Sequence, residues 1–188
     1  MICLIVTLLA LALNSADGFT WMGKIKLPDN ALTSIANKID GDAKFGEKKI
    51  VVITGTSSGL GRKTTKFLLK SKRYHVICAV RDVEKMQLIA EEDELNAKDF
   101  TIMDCDLQSF ASVRKFASNL KDFKAGRPID RLVLNAAVYQ PSLPEAKWTE
   151  DGIEQQMQTN HFSHFLLTSL LVSSSSTSTI HLPHLISD

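Results

Sequence analysis

Four consecutive β-branched residues, Ile50-Val51-Val52-Ile53, run straight into Thr54-Gly55-Thr56-Ser57-Ser58-Gly59-Leu60-Gly61. Such an apolar run is the pattern of a strand buried on both faces of a parallel sheet. Three glycines spaced G-x-x-x-G-x-G then turn the chain, and Leu60, Thr64, Phe67 and Leu68 mark the expected inward stripe of a following helix. Strand, glycine turn and helix in that order set backbone N–H groups and a helix N-terminus against a pyrophosphate. A side chain at the glycines would hold the phosphates off the backbone, and the turn needs φ values that other residues avoid. Between a buried strand and an amphipathic helix, the triplet points to a bound dinucleotide.

The rest of the chain extends this pattern. Tyr74–Val80 reads as a second buried strand ending at Arg81-Asp82, about twenty residues past the glycine turn, where a dinucleotide's ribose lies. An acid there favours a free 2′-hydroxyl and an arginine a 2′-phosphate, so Arg81 favours NADPH; the alternative is a surface pair with Asp82 or Glu84. Asp82–Ala97 reads as a charged helix with Val83, Met86, Ile89 and Ala90 inward and Glu91–Glu94 solvated. Phe100–Leu107 is a third strand running into a turn, and Ser109 caps a helix with the stripe Val113, Phe116, Ala117, Leu120. Ile129–Leu134 is the fourth strand, ending in Asn135-Ala136-Ala137, small residues that let the chain pass close to a cofactor sugar. Tyr139–Thr149, with Pro141 and Pro144, is a loop over the carboxyl edge of the sheet. Asp151–Val172 reads as one long helix carrying Ile153, Met157, Phe162, Phe165, Leu166 and Leu170. Regular alternation of strand and helix implies right-handed crossovers and an α/β fold, the N-terminal part of a doubly wound, Rossmann-like parallel sheet.

Composition narrows the partners. Lys and Arg total 22 against 21 Asp and Glu, a net charge of +1 with no basic block, which argues against nucleic acid. Cys3, Cys78 and Cys105 make no disulfide framework, and the latter two fall in predicted strands as small buried hydrophobes. His161 and His164 are three apart on the last helix with no acidic or cysteine partner nearby, so no metal site is read there. Four segments are expected: a signal-like leader over 1–18, with the apolar run Ile2–Leu13 or alternatively a retained anchor; a linker or second targeting segment over 19–47; an incomplete dinucleotide-binding domain over 48–172; and a low-complexity tail over 173–188.

These residues resemble the short-chain dehydrogenase/reductase family. Thr54-Gly55-Thr56-Ser57-Ser58-Gly59-Leu60-Gly61 is similar to its cofactor turn, Asp106-Leu107 to the pair that meets the adenine, and Asn135-Ala136-Ala137 to its N-A-G-type segment. Asn160 is similar to the helix asparagine of its catalytic tetrad. Within the family, Asn135-Ala136-Ala137-Val138-Tyr139-x-Pro141 and Thr159-Asn160-His161-Phe162-x-His164-Phe165-Leu166-Leu167 most resemble the light-dependent protochlorophyllide-reducing branch. The retinol-dehydrogenase-like branch is the rival, sharing Val80-Arg81-Asp82 and Thr149-Glu150-Asp151-Gly152. The resemblance implies NADPH as hydride donor and protochlorophyllide as substrate, reduced across its C17–C18 double bond. It also implies Tyr139 near the pigment, unless that residue simply covers the sheet edge, and a plastid location with peripheral thylakoid contact; the leader alone would also suit the endoplasmic reticulum.

One departure stands out. Family members donate a proton from a tyrosine whose pKa is lowered by a lysine four residues on. The tyrosines here are Tyr74 and Tyr139, and neither begins Y-x-x-x-K. The expectation is a truncated product that binds cofactor weakly and does not turn over, with a non-catalytic dinucleotide-binding fragment as the competing reading. Without further strands, Ile129–Leu134 would form an exposed sheet edge.

Overall fold

The computed structural model describes residues 29–142 and 144–172, within a chain that divides into two compact units, Met1–Ile35 and Ala36–Asp188. The sheet and the site belong to the second unit. In chain order the elements are α1 (Asp29–Phe45), β1 (Lys49–Thr54), α2 (Gly59–Lys70), β2 (Tyr74–Val80), α3 (Val83–Glu92), β3 (Phe100–Asp104), α4 (Phe110–Phe123) and β4 (Arg131–Val133). A short helix α5 (Gln155–Met157) passes through a π-helical turn (Gln158–Phe162) into α6 (Ser163–Val172). All strand pairs are parallel, and the sheet order is β3-β2-β1-β4. The chain builds outward from β1 to β3, then returns to add β4 on the other side of β1. That reversal opens a crevice at the carboxyl ends of β1 and β4.

Alternation along β1 divides the core between two layers. Ile50 and Val52 face Phe116, Leu120, Leu167 and Leu171 on one side, while Val51 and Ile53 face Leu69, Met86 and Ile89 on the other. All four strand residues are at most 1% exposed, as the unbroken β-branched run requires. The α4 stripe is buried at Val113, Phe116, Ala117 and Leu120, and Ser109 caps that helix by accepting from the Ser112 amide at 3.3 Å. Cys78 lies buried in β2; Cys105 is buried too, one residue past the end of β3. β4, the edge strand among the described residues, is shorter than expected, yet Ile129 just before it and Leu132 within it are buried.

Several expectations are corrected. The α2 stripe is out of phase: Leu60 and Phe67 are each 75% exposed, and Gly61, Thr65 and Leu69 face inward. The reason is that α2 packs through its small residues, which carry no hydrophobic signal. Likewise the buried face after Glu154 is Gln158, Thr159, Ser163, His164, Leu167 and Leu171, with Phe165 exposed, because the π turn shifts the helix phase. The acidic run at 91–94 is not wholly solvated. Asp93 accepts a bidentate pair from Arg62 (Nε and Nη2, both 2.7 Å) and a third bond from Lys66 at 2.7 Å, tying α3 to α2. These cations hold its carboxyl well below the usual carboxylate range.

Within the segment 19–47, expected as a linker or second targeting segment, Asp29–Phe45 is helical. Phe45 is 3% exposed and packs edge-on against His75 and Phe123, at centroid distances of 5.0 and 5.7 Å. Arg127 donates to Asp42, to the Gly46 carbonyl and to the Lys48 carbonyl, fastening this end of α1 to the start of β1. The leader at 1–18 and the tail at 173–188 lie outside the described residues. Phe45→Ala is expected to cost about 3–5 kcal/mol of unfolding free energy, the range for emptying a buried phenylalanine site. Denaturant unfolding of the two proteins checks it; unchanged stability would return this segment to a linker.

Candidate functional site

A cleft of about 510 Å³ opens at the carboxyl ends of β1, β2 and β4. Its floor is the glycine turn, with Gly55, Ser57, Ser58, Gly59 and Leu60. One wall is Arg81, Asp82 and Lys85 at the end of β2, and the other is Asn135, Ala136, Ala137 and Val138. Asp106 and Leu107 close the far side with Cys105, whose thiol burial and the Asp104 and Asp106 charges push up to about 12, keeping it neutral. Eleven of the expected cofactor-binding residues therefore meet on one surface.

The three glycines do different things. Gly55 (φ +70°) and Gly59 (φ +53°) both take the left-handed conformation, but only Gly59 has open space where a Cβ would stand. A Cβ on Gly55 would lie 2.9 Å from Ala136 Cα. Gly61 does not line the cleft at all: its Cβ would sit 2.2 Å from the Gly55 carbonyl oxygen and 2.6 Å from Asn135 Nδ2. Gly61 thus lets α2 close on the turn, and Gly59 leaves room for a ligand. Ser58 begins α2 in an extended conformation and its side chain makes no capping bond, so an anion is free to take the first-turn amides.

Behind the cleft, the buried Thr54 hydroxyl joins three elements. It accepts from the Asn135 amide at 2.9 Å and from the Ala136 amide at 3.0 Å, and stands 3.0 Å from His164 Nε2. The Asn135 side chain donates to the Thr54 and Gly55 carbonyls at 3.0 and 3.1 Å, which fixes the wall against the floor. His164, at which no metal site is read from the sequence, is 6% exposed; His161 is exposed and lies edge-on to Phe162. Burial holds the His164 ring below its ordinary pKa. Asn160, on the π turn, clamps the loop: Oδ1 accepts from the Val138 amide at 2.7 Å and Nδ2 donates to its carbonyl at 2.8 Å. Asn160 and Tyr139 do not line the cleft, and Tyr139, directly after the clamped Val138, is 83% exposed.

Arg81 is exposed and makes no ion pair with a described residue. The alternative of a pair with Asp82 fails for a visible reason: Asp82 caps α3, accepting from the Lys85 amide at 2.8 Å. Lys85, one turn along α3, adds a second cation to the same wall. The sequence reading missed it, although its place four residues after Arg81 at the start of a helix was visible.

The family model of the short chain dehydrogenases matches residues 49–178, which cover every strand and the whole cleft. The chain belongs to this family. Among curated relatives, the protochlorophyllide reductase of Cucumis sativus chloroplasts is 43% identical over 153 residues, covering 80% of this chain and 38% of the relative. That of Chlamydomonas reinhardtii is 44% identical over 126 residues, covering 67% of this chain and 31% of the relative. The chain thus spans well under half the length of the curated relatives it matches. Among solved structures, an NADP complex of Pseudomonas aeruginosa RhlG is 28% identical with a TM-score of 0.56, over 71% of this chain and 52% of that one. A metagenomic short-chain oxidoreductase in complex with NADP, 24% identical with a TM-score of 0.56 over 67% of this chain and 56% of that one, shares the fold.

The two glycine roles separate experimentally. Gly61→Ala is expected to destabilise the fold by about 3 kcal/mol, since backbone must move. Gly59→Ala should cost about 1–2 kcal/mol of left-handed strain but abolish dinucleotide binding, because its methyl group fills the open floor. Thermal unfolding and fluorescence titration of both variants check this; tight binding by Gly59→Ala would contradict it.

Proposed function

We propose that this chain is the NADPH-binding portion of a light-dependent protochlorophyllide reductase acting in plastids. The observation that carries the reading is the unpaired Arg81–Lys85 wall on the same cleft as the open floor at Gly59. A pyrophosphate fits that floor and a 2′-phosphate that wall. The relatives' names and the chloroplasts they are assigned to support the substrate and the compartment.

When bound, NADPH supplies the hydride that reduces the C17–C18 double bond of the pigment. The chain's own residues hold and orient. Ser57, Ser58 and the first amides of α2 grip the pyrophosphate, and Arg81 with Lys85 grips the 2′-phosphate. Asp106 and Leu107 flank the adenine; the Asp106 carboxylate is held in place by accepting from the Gln108 amide at 2.9 Å. Asn135, Ala136 and Ala137 form the sugar-facing wall. Asn160 fixes Val138, so the loop carrying Tyr139 and Pro141 leaves the cleft from a set point, with Tyr139 free to meet a flat pigment. Since neither Tyr74 nor Tyr139 has a lysine four residues on, this stretch of chain binds cofactor without supplying the proton of the reaction. Thylakoid contact would be peripheral; no helix among the described residues is long and apolar enough to cross a membrane.

Titrating the 188-residue chain with NADPH and NADH tests the reading. NADPH should bind more tightly, and Arg81→Ala should weaken it roughly ten- to a hundredfold, the loss of a charge-assisted contact, with little effect on NADH. Equal affinity for the two cofactors would refute the 2′-phosphate assignment. Illumination with protochlorophyllide and NADPH should leave the pigment's absorbance unchanged.

A further inference from the structure

The Thr54 hydroxyl is 1% exposed and meets three nitrogens. A hydroxyl has one hydrogen and two lone pairs. The Asn135 and Ala136 amides donate, so they occupy both lone pairs. The hydroxyl hydrogen then has one partner left, His164 Nε2 at 3.0 Å. Nε2 must therefore present a bare lone pair. The proton of the neutral ring sits on Nδ1, which faces the Asn160 carbonyl oxygen at 3.3 Å. A doubly protonated ring would aim an N–H at a hydroxyl with no lone pair to spare, and one of the two amides would have to let go.

We infer that His164, as the neutral Nδ1–H tautomer, is a positioning residue for cofactor binding. It draws off the Thr54 hydrogen and so keeps both Thr54 lone pairs on the amides of the sugar-facing wall. Acid that protonates the ring loosens that wall from the glycine turn and weakens binding. The inference rests on the cofactor reading above. No charged group answers the ring from its surroundings. The loop at Asn135–Val138 carries none, and β1 has only Lys49 at its far, exposed end. α4 turns Arg114, Lys115, Lys121 and Asp122 to solvent, and its own helix adds only the exposed His161. Because burial lowers the folded-state pKa, the neutral ring's contribution to stability is complete above the unfolded value of about 6.5 and is lost as pH falls through the lowered folded-state value, where the ring takes its second proton and the wall loosens.

Two measurements on the 188-residue chain decide the matter. Long-range 1H–15N correlation on the ligand-free protein at pH about 8 should show His164 with its proton on Nδ1; the Nε2–H tautomer would overturn the inference. NADH titrations from pH about 8 to about 5.5 avoid the titration of the 2′-phosphate itself. Wild-type affinity should fall on the acid side. His164→Met, which has no strong acceptor, should bind roughly five- to tenfold more weakly than wild type at pH about 8 and show no acid-side fall of its own. His164→Gln, whose amide oxygen accepts near the Nε2 position, should recover most of that loss and show no acid-side fall. If Gln and wild type share one pH profile, the inference fails even where His164→Met does not fold. Absence of NADPH and NADH binding by wild type at pH about 8 would overturn the cofactor reading and this inference with it. Binding with the wrong tautomer would overturn this inference alone.

Discussion

One hydroxyl group, that of Thr54, is the joint at which the sheet, the glycine turn and the last helix meet. It stands at the end of β1, where a parallel sheet runs out of strand–strand hydrogen bonds and the exposed amides of the returning chain need partners. Two of those amides, from Asn135 and Ala136, find Thr54, and the Asn135 carboxamide returns the tie through the Thr54 and Gly55 carbonyls. The spacing this enforces is tight enough that neither Gly55 nor Gly61 has room for a Cβ. The cleft floor is therefore not a flexible loop waiting for a ligand. It is a packed surface that stays open at Gly59, where no atom lies within 4 Å of a Cβ position.

The same economy of small groups explains why the helices dock as they do. α2 approaches through Gly61 and Thr65 and is then latched to α3 by the Arg62–Asp93–Lys66 cluster. Asp93 is nearly enclosed while its partners stay partly open to water, so the cluster orients two helices more than it stabilises them. At the other side, the π turn swings Gln158, Thr159, Ser163 and His164 inward. Each of these polar side chains finds a specific partner; Ser163, for one, donates to the Leu107 carbonyl at 2.6 Å. Wall, floor and far side are all tied to this one stretch of helix, through Asn160 to Val138, His164 to Thr54 and Ser163 to Leu107, although neither Asn160 nor His164 lines the cleft.

Much of this was legible beforehand where burial is written in apolar residues. Ile50–Ile53 and Tyr74–Val80 could only be interior strands, and the α4 stripe was right residue by residue because Val113, Phe116, Ala117 and Leu120 carry the helical period openly. Motif spacing pointed to Gly55, Ser57, Ser58, Gly59, Arg81 and Asn135, and the family resemblance added Asp106; all of them line one cleft. The errors share a cause. Where an inward face is built of Gly, Thr, Ser, Gln or His, periodicity points to the opposite side, and so Phe67 and Phe165 read as core residues while Thr65, Gln158 and Ser163 carried no inward signal.

From the sequence alone came the fold class, the parallel alternation of strand and helix, and most of the residues that line the cleft, since each follows from local pattern: β-branched runs, glycine spacing, small residues at a strand end. Tertiary structure decided what no local pattern carries. It joined Asp42 and Phe45 to the domain through Arg127, Phe123 and His75, and it chose the tautomer of His164. These outcomes depend on which donors and acceptors meet across 80 to 110 residues of sequence, and a hydroxyl's single hydrogen can be assigned only when all of its neighbours are known.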